Sequence, residues 1–429
     1  MKKKLFAMVW IASLLLLPAA ALSLTVEDAV SYAIANNRTL ESSKLDLKMD
    51  KDAKDVSWNG FLPTLQTTAS LSRNNQVNPI YTVPTSPSTS FVGGVTFSFN
   101  FNPALITNMR LAQEKYLAGQ ISYDQAKAQT TLNVKKMFYA ILLQKQALEL
   151  QKQTLENTKG RMEQAQDLYS QGFATELTVL QTQVSYENLK ATVLKQQQSL
   201  EQQLGTFAFL LGLDENEPLD LVGAIEPEFK NIDAQQALSR IGLRYDVITL
   251  QKQMDILDVQ KKAVDQQIWI PSVALNLSYQ PILSDITNNW GTSSNWYDGG
   301  SCSVTVAWNL TNLLPWSTGR QSIKTLEDNK KKLQLNLEMV QANARMEVKN
   351  LITSLSQSQE AIDSSERSIN LAQKSYDMTL DAYQQGSKEL LDVRDSENQL
   401  NQAKLSKLSE QYNYLSSLLD LEYALQTSL

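Results

Sequence analysis

Two series of apolar residues, each spaced by seven, constrain what this chain can fold into. Val134, Ile141, Leu148, Leu155, Met162 and Tyr169 form the first. Val348, Leu355, Ile362, Ile369, Tyr376 and Tyr383 form the second, each 214 residues beyond its counterpart. A sustained seven-residue spacing implies long helices that supercoil left-handedly against neighbours. Agreement of all six members at one offset points to an internal duplication. A second alignment supports it: residues 232–279 fall without gaps on 24–71 at an offset of 208, setting Ala237 on Ala29, Lys252 on Lys44, Asp258 on Asp50 and Pro271 on Pro63.

Each series ends just before or within a glycine-centred stretch, DLYSQGFATELTVLQTQ around Gly172 and LDAYQQGSKELLDVRDSE around Gly386. Both glycines suit a place where a long helix stops and reverses. Asn102–Pro103 is a strong helix start, with proline fitting the first helical position. No proline occurs again until Pro218, and none occurs after Pro315. Beyond the first turn, Val179, Tyr186, Val193, Leu200 and Phe207 keep the spacing of seven. Long helices are therefore expected over about 104–171 and 322–385, each roughly 100 Å at 1.5 Å per residue. The remaining helices, including one from Thr25 (with Asp28 at capping-box spacing) to Asn59, are about half as long. Two such helices end to end match one long helix, so a cylinder of uniform height can be built from both.

Four stretches change to a period of two and are expected as strands over 61–71, 91–101, 269–279 and 301–310. Leu65, Thr67, Ala69 and Leu71 alternate with polar partners, as do Val95, Phe97, Phe99 and Phe101. Polar loops separate each pair, the first broken by Pro79, Pro84 and Pro87 and the second running from Asp285 to Gly300. About ten residues suffice for a tilted strand across a bilayer. Phe61, Phe97, Phe99, Phe101, Trp269, Tyr279 and Trp308 could supply interface girdles, and Cys302 falls on the apolar side of its strand. The alternative is a pair of surface hairpins packed on a helical body. A membrane reading needs several copies, because a barrel must close and takes about eight or more strands.

Composition bears on chemistry. There is no histidine, which removes imidazole metal sites, serine–histidine triads and histidine acid–base work. The single cysteine rules out an intramolecular disulfide or a CxxC site, and no phosphate-binding glycine motif occurs. No enzyme and no cofactor is expected. Lys2, Lys3 and Lys4, an apolar run from Leu5 to about Leu17, then Pro18 and small residues ending at Ser23 read as an export signal, 1–23, cleaved after Ser23. The alternative is an uncleaved membrane anchor. Removing the three lysines takes the formal charge from −6 to −9, which argues against nucleic acid as a partner.

The duplicated halves, the FLPTL and WIPSV openings of strands and the YxxGxxxLLDVxD-like turn resemble the TolC-type outer-membrane efflux proteins, over essentially the whole mature chain. The resemblance implies a mainly α fold with a transmembrane β-barrel: a homotrimer with a twelve-stranded barrel and an α-helical tunnel across the periplasm. The domains then read as a first repeat at 24–212, an equatorial linker at 213–231 and a second repeat at 232–429. Such proteins are exit ducts for tripartite efflux or type I secretion, working with a periplasmic adaptor and an inner-membrane efflux pump or ABC transporter.

The resemblance also implies that the turns form a periplasmic gate, with Tyr383, Lys388, Asp392 and Asp395 at the matching positions. Asp392 and Asp395 from three chains would make two carboxylate rings that concentrate cations. The plainer reading is that these acids favour a helix N-terminus through its dipole. Where the family often has an acidic partner for the lock, this chain has Thr178, which leaves no salt bridge to Lys388 there. The rival functions are an exported coiled-coil stalk or adhesin, and a passive porin.

Overall fold

The computed structural model describes residues 22–74, 88–214, 217–283 and 285–427. Most of the expected export signal and the loop carrying Pro79, Pro84 and Pro87 lie outside them. In chain order the elements are β1 (Leu22–Leu24), α1 (Val26–Asn36), α2 (Arg38–Asp55), β2 (Thr64–Asn74), β3 (Ser88–Phe101), α3 (Leu105–Ser170) and α4 (Glu176–Leu211). The second half has β4 (Leu219–Leu221), α5 (Ala234–Ser239), α6 (Tyr245–Trp269), β5 (Ser272–Tyr279), β6 (Pro281–Leu283), β7 (Trp296–Asp298), β8 (Ser301–Ala307), α7 (Thr318–Gln384) and α8 (Leu390–Leu425). With 66 and 67 residues, α3 and α7 each run about 100 Å. No helix among the described residues is long and apolar enough to cross a membrane.

Two compact units emerge. One comprises described residues up to Lys44, Tyr123–Val247 and from Val340 onward; the other comprises Leu45–Ser122 and Ile248–Met339. The first is helical and has two apolar centres. Ala29, Ala33, Val134, Phe138, Ile141, Phe207 and Leu211 pack together with Leu221 and Ile225 of the linker. Ala344, Val348, Leu355 and Ile362 pack with Tyr414, Leu418, Leu421 and Leu425. The inner members of both heptad series are thus core residues. The later members, nearer the turns, are less buried, and Tyr169 is 47% exposed.

The expected single helix from Thr25 to Asn59 is two helices and a short 3₁₀ turn, Ser57–Phe61. Its start has the anticipated reciprocal cap between Thr25 and Asp28. The break falls at Asn37, whose Nδ2 donates to the Leu210 carbonyl at 2.7 Å while its Oδ1 accepts from Leu40 N–H at 2.9 Å. One buried amide therefore caps α2 and ties it to the end of α4. Gly212, at φ +79, closes that end; a Cβ there would sit 2.2 Å from the Asn36 carbonyl oxygen. The linker supplies β4, which pairs in parallel with β1.

The second unit holds the sheet. β3 pairs along its length with β2 on one edge and with β5 then β6 on the other, and β8 adds to β5, all antiparallel. The strands start three residues later than the expected 61–71 and 269–279, because 3₁₀ and extended turns around Pro63 and Pro271 occupy the space first. Register sorts the faces cleanly. Leu65, Phe97, Leu277 and Cys302 lie in one transverse row, and Thr64, Ser98, Asn276 and Ser303 in a row of the other parity. Hydroxyls pair across the polar face, Thr64 with Ser98 at 2.6 Å and Ser72 with Ser90 at 2.9 Å. The apolar face is bare: Leu65, Leu71, Leu277, Tyr279, Val304 and Val306 are all exposed. Below the sheet, Trp308 Nε1 donates to the Ile268 carbonyl at 3.1 Å, and Lys252 bridges to Glu114 at 2.9 Å.

Candidate gate at the helical turns

Each long helix ends in the same chain of hydrogen bonds. The Gly172 N–H donates to the Tyr169 carbonyl at 2.9 Å and the Phe173 N–H to the Leu168 carbonyl at 2.8 Å. In the second turn Gly386 donates to Tyr383 at 2.9 Å and Ser387 to Ala382 at 2.9 Å. This is the Schellman arrangement, which needs a left-handed residue after the helix; Gly172 and Gly386 supply it at φ +78 and +76. Both glycines stand in open space, so backbone conformation alone selects them.

Past the glycines the two repeats diverge. In the first turn Thr175 caps α4: its Oγ1 accepts from the Thr178 N–H at 3.2 Å and lies 2.9 Å from the Thr178 hydroxyl. In the second, at the same offset of 214, Glu389 and Asp392 take those places. Asp392 accepts from the Glu389 N–H at 3.3 Å and from Lys388 Nζ at 3.5 Å. Asp392 thus serves the start of α8 through that hydrogen bond, and it remains partly exposed. Asp395 is more open, beside Arg394 at 3.7 Å. Both carboxylates flank the buried Val393 and Ser396.

Lys388 and Asp392 are brought together, within one turn of one hairpin. No described hydrogen bond or ion pair of Tyr383, Lys388, Asp392 or Asp395 reaches the first hairpin, and Thr178 is engaged with Thr175. The polar bonds that join the two hairpins lie deeper, Lys136 to Asp420 at 2.8 Å among them. Arg161 on α3 forms an ion pair with Glu397 on α8, and Asn157 Nδ2 donates to the other Glu397 oxygen at 3.1 Å. Thr158 accepts from Arg161 at 3.1 Å, and Asn401 Nδ2 donates to the Thr154 hydroxyl at 3.0 Å. Glu397 is only 4% exposed. The phenol of Tyr376 joins this group through Arg161; burial, then the Glu397 charge, raise its pKa above the ordinary 10. The sequence does not single this pair out: of the column Glu397, Lys404, Gln411, Leu418 and Leu425, spaced by seven, only the last two are apolar.

Comparison with known proteins now bears on this geometry. A family model described as "Outer membrane efflux protein" matches residues 29–213 and 258–426, one stretch in each repeat. Comparison with curated protein sequences finds no match. Among solved structures, the outer membrane channel CmeC of Campylobacter jejuni superposes with a TM-score of 0.78 at 15% identity, over 93% of this chain and 85% of that one. VceC of Vibrio cholerae gives 0.74 at 16% identity over 94% and 96%, and the open state of MtrE from Neisseria gonorrhoeae 0.74 at 18% over 94% and 89%. At such identities the structures speak for the fold, and the family model speaks for the rest. The chain belongs to the outer membrane efflux protein family, and is a transport channel of the outer membrane of the kind that serves tripartite efflux systems.

Proposed function

We propose that three copies of this chain close a twelve-stranded barrel and continue it as a helical duct whose periplasmic end is gated at the turns around Gly172 and Gly386. The observation that carries the reading is the sheet: an uncovered apolar face bounded by two strands, β2 and β8, that pair on one side only among the described residues. An open edge with a bare apolar face is unstable in water and in lipid alike. Pairing β8 of one copy with β2 of the next closes those two edges, the three-residue β7 remaining an edge among the described residues, and outer-membrane lipid covers the apolar face.

The duplication supplies the register of that seam. β2 maps on β5 by 208 and β3 on β8 by 209, as Thr64 opposite Ser98 and Ser272 opposite Ala307 require. Carrying the pairing of Val95 with Tyr279 through the same offsets sets Val304 opposite Leu71 of the neighbouring copy. Val306 then faces Ala69 of the neighbour and Cys302 faces its Arg73. The helices flanking those strands offer matching apolar surface: Leu45 and Met49 are exposed on α2, and Leu257, Leu335 and Met339 line a groove between α6 and α7.

In this reading the mature chain starts near Leu24, which is buried against the first core. A periplasmic adaptor engages the turns, and an inner-membrane efflux pump or ABC transporter feeds the duct, for small-molecule efflux or polypeptide secretion. Asp392 and Asp395 of three copies ring the constriction, and Tyr383 and Lys388 brace the tips. The test is the mass of the detergent-solubilised protein together with planar-bilayer recording. A heat-sensitive trimer with a small, steady conductance supports the duct, whereas a monomer that stays in solution without detergent excludes it.

A further inference from the structure

Within one chain the tips do not join the two hairpins: Lys388 and Asp392 pair within one hairpin, Lys388 exposed and Asp392 partly so, and Thr178 offers no charge. We infer that the gate is latched instead by Arg161 and Glu397, eleven residues behind Gly172 and Gly386 respectively. At 1.5 Å per residue Arg161 lies about 14 Å from the end of α3 and Glu397 about 10 Å into α8. This inference rests on the gate reading above and says where its lock lies.

Three features argue for a latch rather than ordinary packing. It bridges separate hairpins, α3 in the first and α8 in the second, where an exposed tip pair cannot. It is buried and nearly saturated: Glu397 receives Arg161 and Asn157 on its two oxygens, and Arg161 also donates to Thr158. Separating the hairpins takes the Arg161 and Asn157 donors away from a carboxylate that is only 4% exposed, and breaking a buried charged pair is costly. Finally, the repeat does not reproduce it. At the offset of 214, Asn157, Arg161 and Gln183 correspond to Leu371, Ser375 and Glu397, so neither the acid nor the base recurs. Lys136 and Asp420 join the same two helices at 2.8 Å, but they lie far from the turns and are about one-third exposed, so Arg161 and Glu397 are the buried pair beside the gate. Arg161 and Glu397 are positioning residues that set the distance between hairpins and touch no cargo.

The experiment is single-channel recording of the full-length protein in planar bilayers. Glu397→Gln keeps the shape and removes the charge, and should raise the open fraction at rest by roughly ten-fold or more. Arg161→Glu should do the same, and the exchanged pair Arg161→Glu with Glu397→Arg should restore closure. The temperature at which the trimer dissociates, measured on the same samples, separates a released latch from a damaged fold. Unchanged resting conductance in a Glu397→Gln trimer of normal heat stability overturns the latch, as does failure of the exchanged pair to close a well-folded trimer. Block by a trivalent cation, lost on Asp392→Ala with Asp395→Ala, is read in the same recordings. If that block is present while Glu397→Gln stays closed, the gate reading stands and only the latch falls; if neither responds, both fall.

Discussion

Three glycines adopt the same left-handed backbone and should respond very differently to an added methyl group. Gly172, Gly386 and Gly212 have φ of +78, +76 and +79. An L-residue there costs about 1–2 kcal/mol from the clash of its Cβ with the backbone. At Gly172 and Gly386 nothing lies within 4 Å of the new carbon, so Ala should cost that strain and no more. At Gly212 the new carbon would stand 2.2 Å from the Asn36 carbonyl oxygen and 2.6 Å from its carbon. Backbone cannot rotate away as a side chain can, and moving the α1–α2 junction also loosens the Asn37 bonds to Leu210 and Leu40. Overpacking adds about 1–3 kcal/mol to the strain, giving roughly 2–5 kcal/mol per chain. The assay is the dissociation temperature of the detergent-solubilised trimer for the three single alanine variants. Gly212→Ala should fall furthest, with the two turn variants close together and near the parent; Asn in place of Gly at 386 should recover part of the small loss. If Gly386→Ala is as damaging as Gly212→Ala, the turn is not open space. If Gly212→Ala is silent, the close approach of α4 to the α1–α2 junction is wrong.

The double variant Asp392→Ala with Asp395→Ala should weaken block of single-channel current by multivalent cations; unchanged block removes the carboxylate rings. Because Asp392 also caps α8, Asp392→Ala alone should cost about 1 kcal/mol, read as a lowered melting temperature. Replacing Tyr383 and Lys388 together should raise resting conductance, but less than Glu397→Gln, and the reverse order in paired recordings would return the lock to the tips. Hydrogen bonds from Thr25 hold the Asp28 carboxyl below its ordinary 3.8. The depressed value means its stabilisation is present above the ordinary carboxylate range and lost as pH falls through the lowered one. Protection of the amides at the start of α1, taken against the intrinsic exchange rate at each pH, should therefore fall on acidification in the parent protein. Thr25→Ala should show low protection at both ends of the range, and equal pH dependence of protection in the two proteins would count against the cap.

Spacing carried most of the architecture. A residue every seven places, repeated at 214, can be satisfied only by long helices lying side by side, and Val134, Ile141, Val348, Leu355 and Ile362 are buried accordingly. Alternation likewise assigned the strands their faces, since a one-residue error would have put Phe97 beside Ser98's partners. Illegible were the features set by contacts distant in sequence. Asn37 reads as one polar residue in a helix, and only the nearness of Leu210 makes it a break. The starts of β2 and β5 moved because proline-centred turns precede them, and propensity does not fix how much chain a turn consumes. At the turns, the glycines and their equivalence were readable, since left-handed backbone has a strong chemical preference. The Glu397 pair was not: its column spaced by seven also holds Lys404 and Gln411, and nothing nearby in sequence points to Arg161, more than two hundred residues earlier.

The central claim is that strands from separate copies close one barrel in a defined register, and the lone cysteine allows it to be tested directly. Cys302 lies on exposed β8 and is opposite Arg73 of the neighbouring copy in the register carried over from β3 and β5. Directly opposed residues of an antiparallel pair have Cβ atoms about 4.5–5.5 Å apart, within reach of an oxidised or short bifunctional cross-link. Arg73→Cys, cross-linked in outer membranes and run under denaturing conditions, should give covalent dimers and trimers. The parent protein, and a variant carrying the new cysteine at Thr68 on the other face and further along β2, should run as monomers. A monomer-only pattern from Arg73→Cys in membranes that contain the folded protein contradicts a barrel closed in this register.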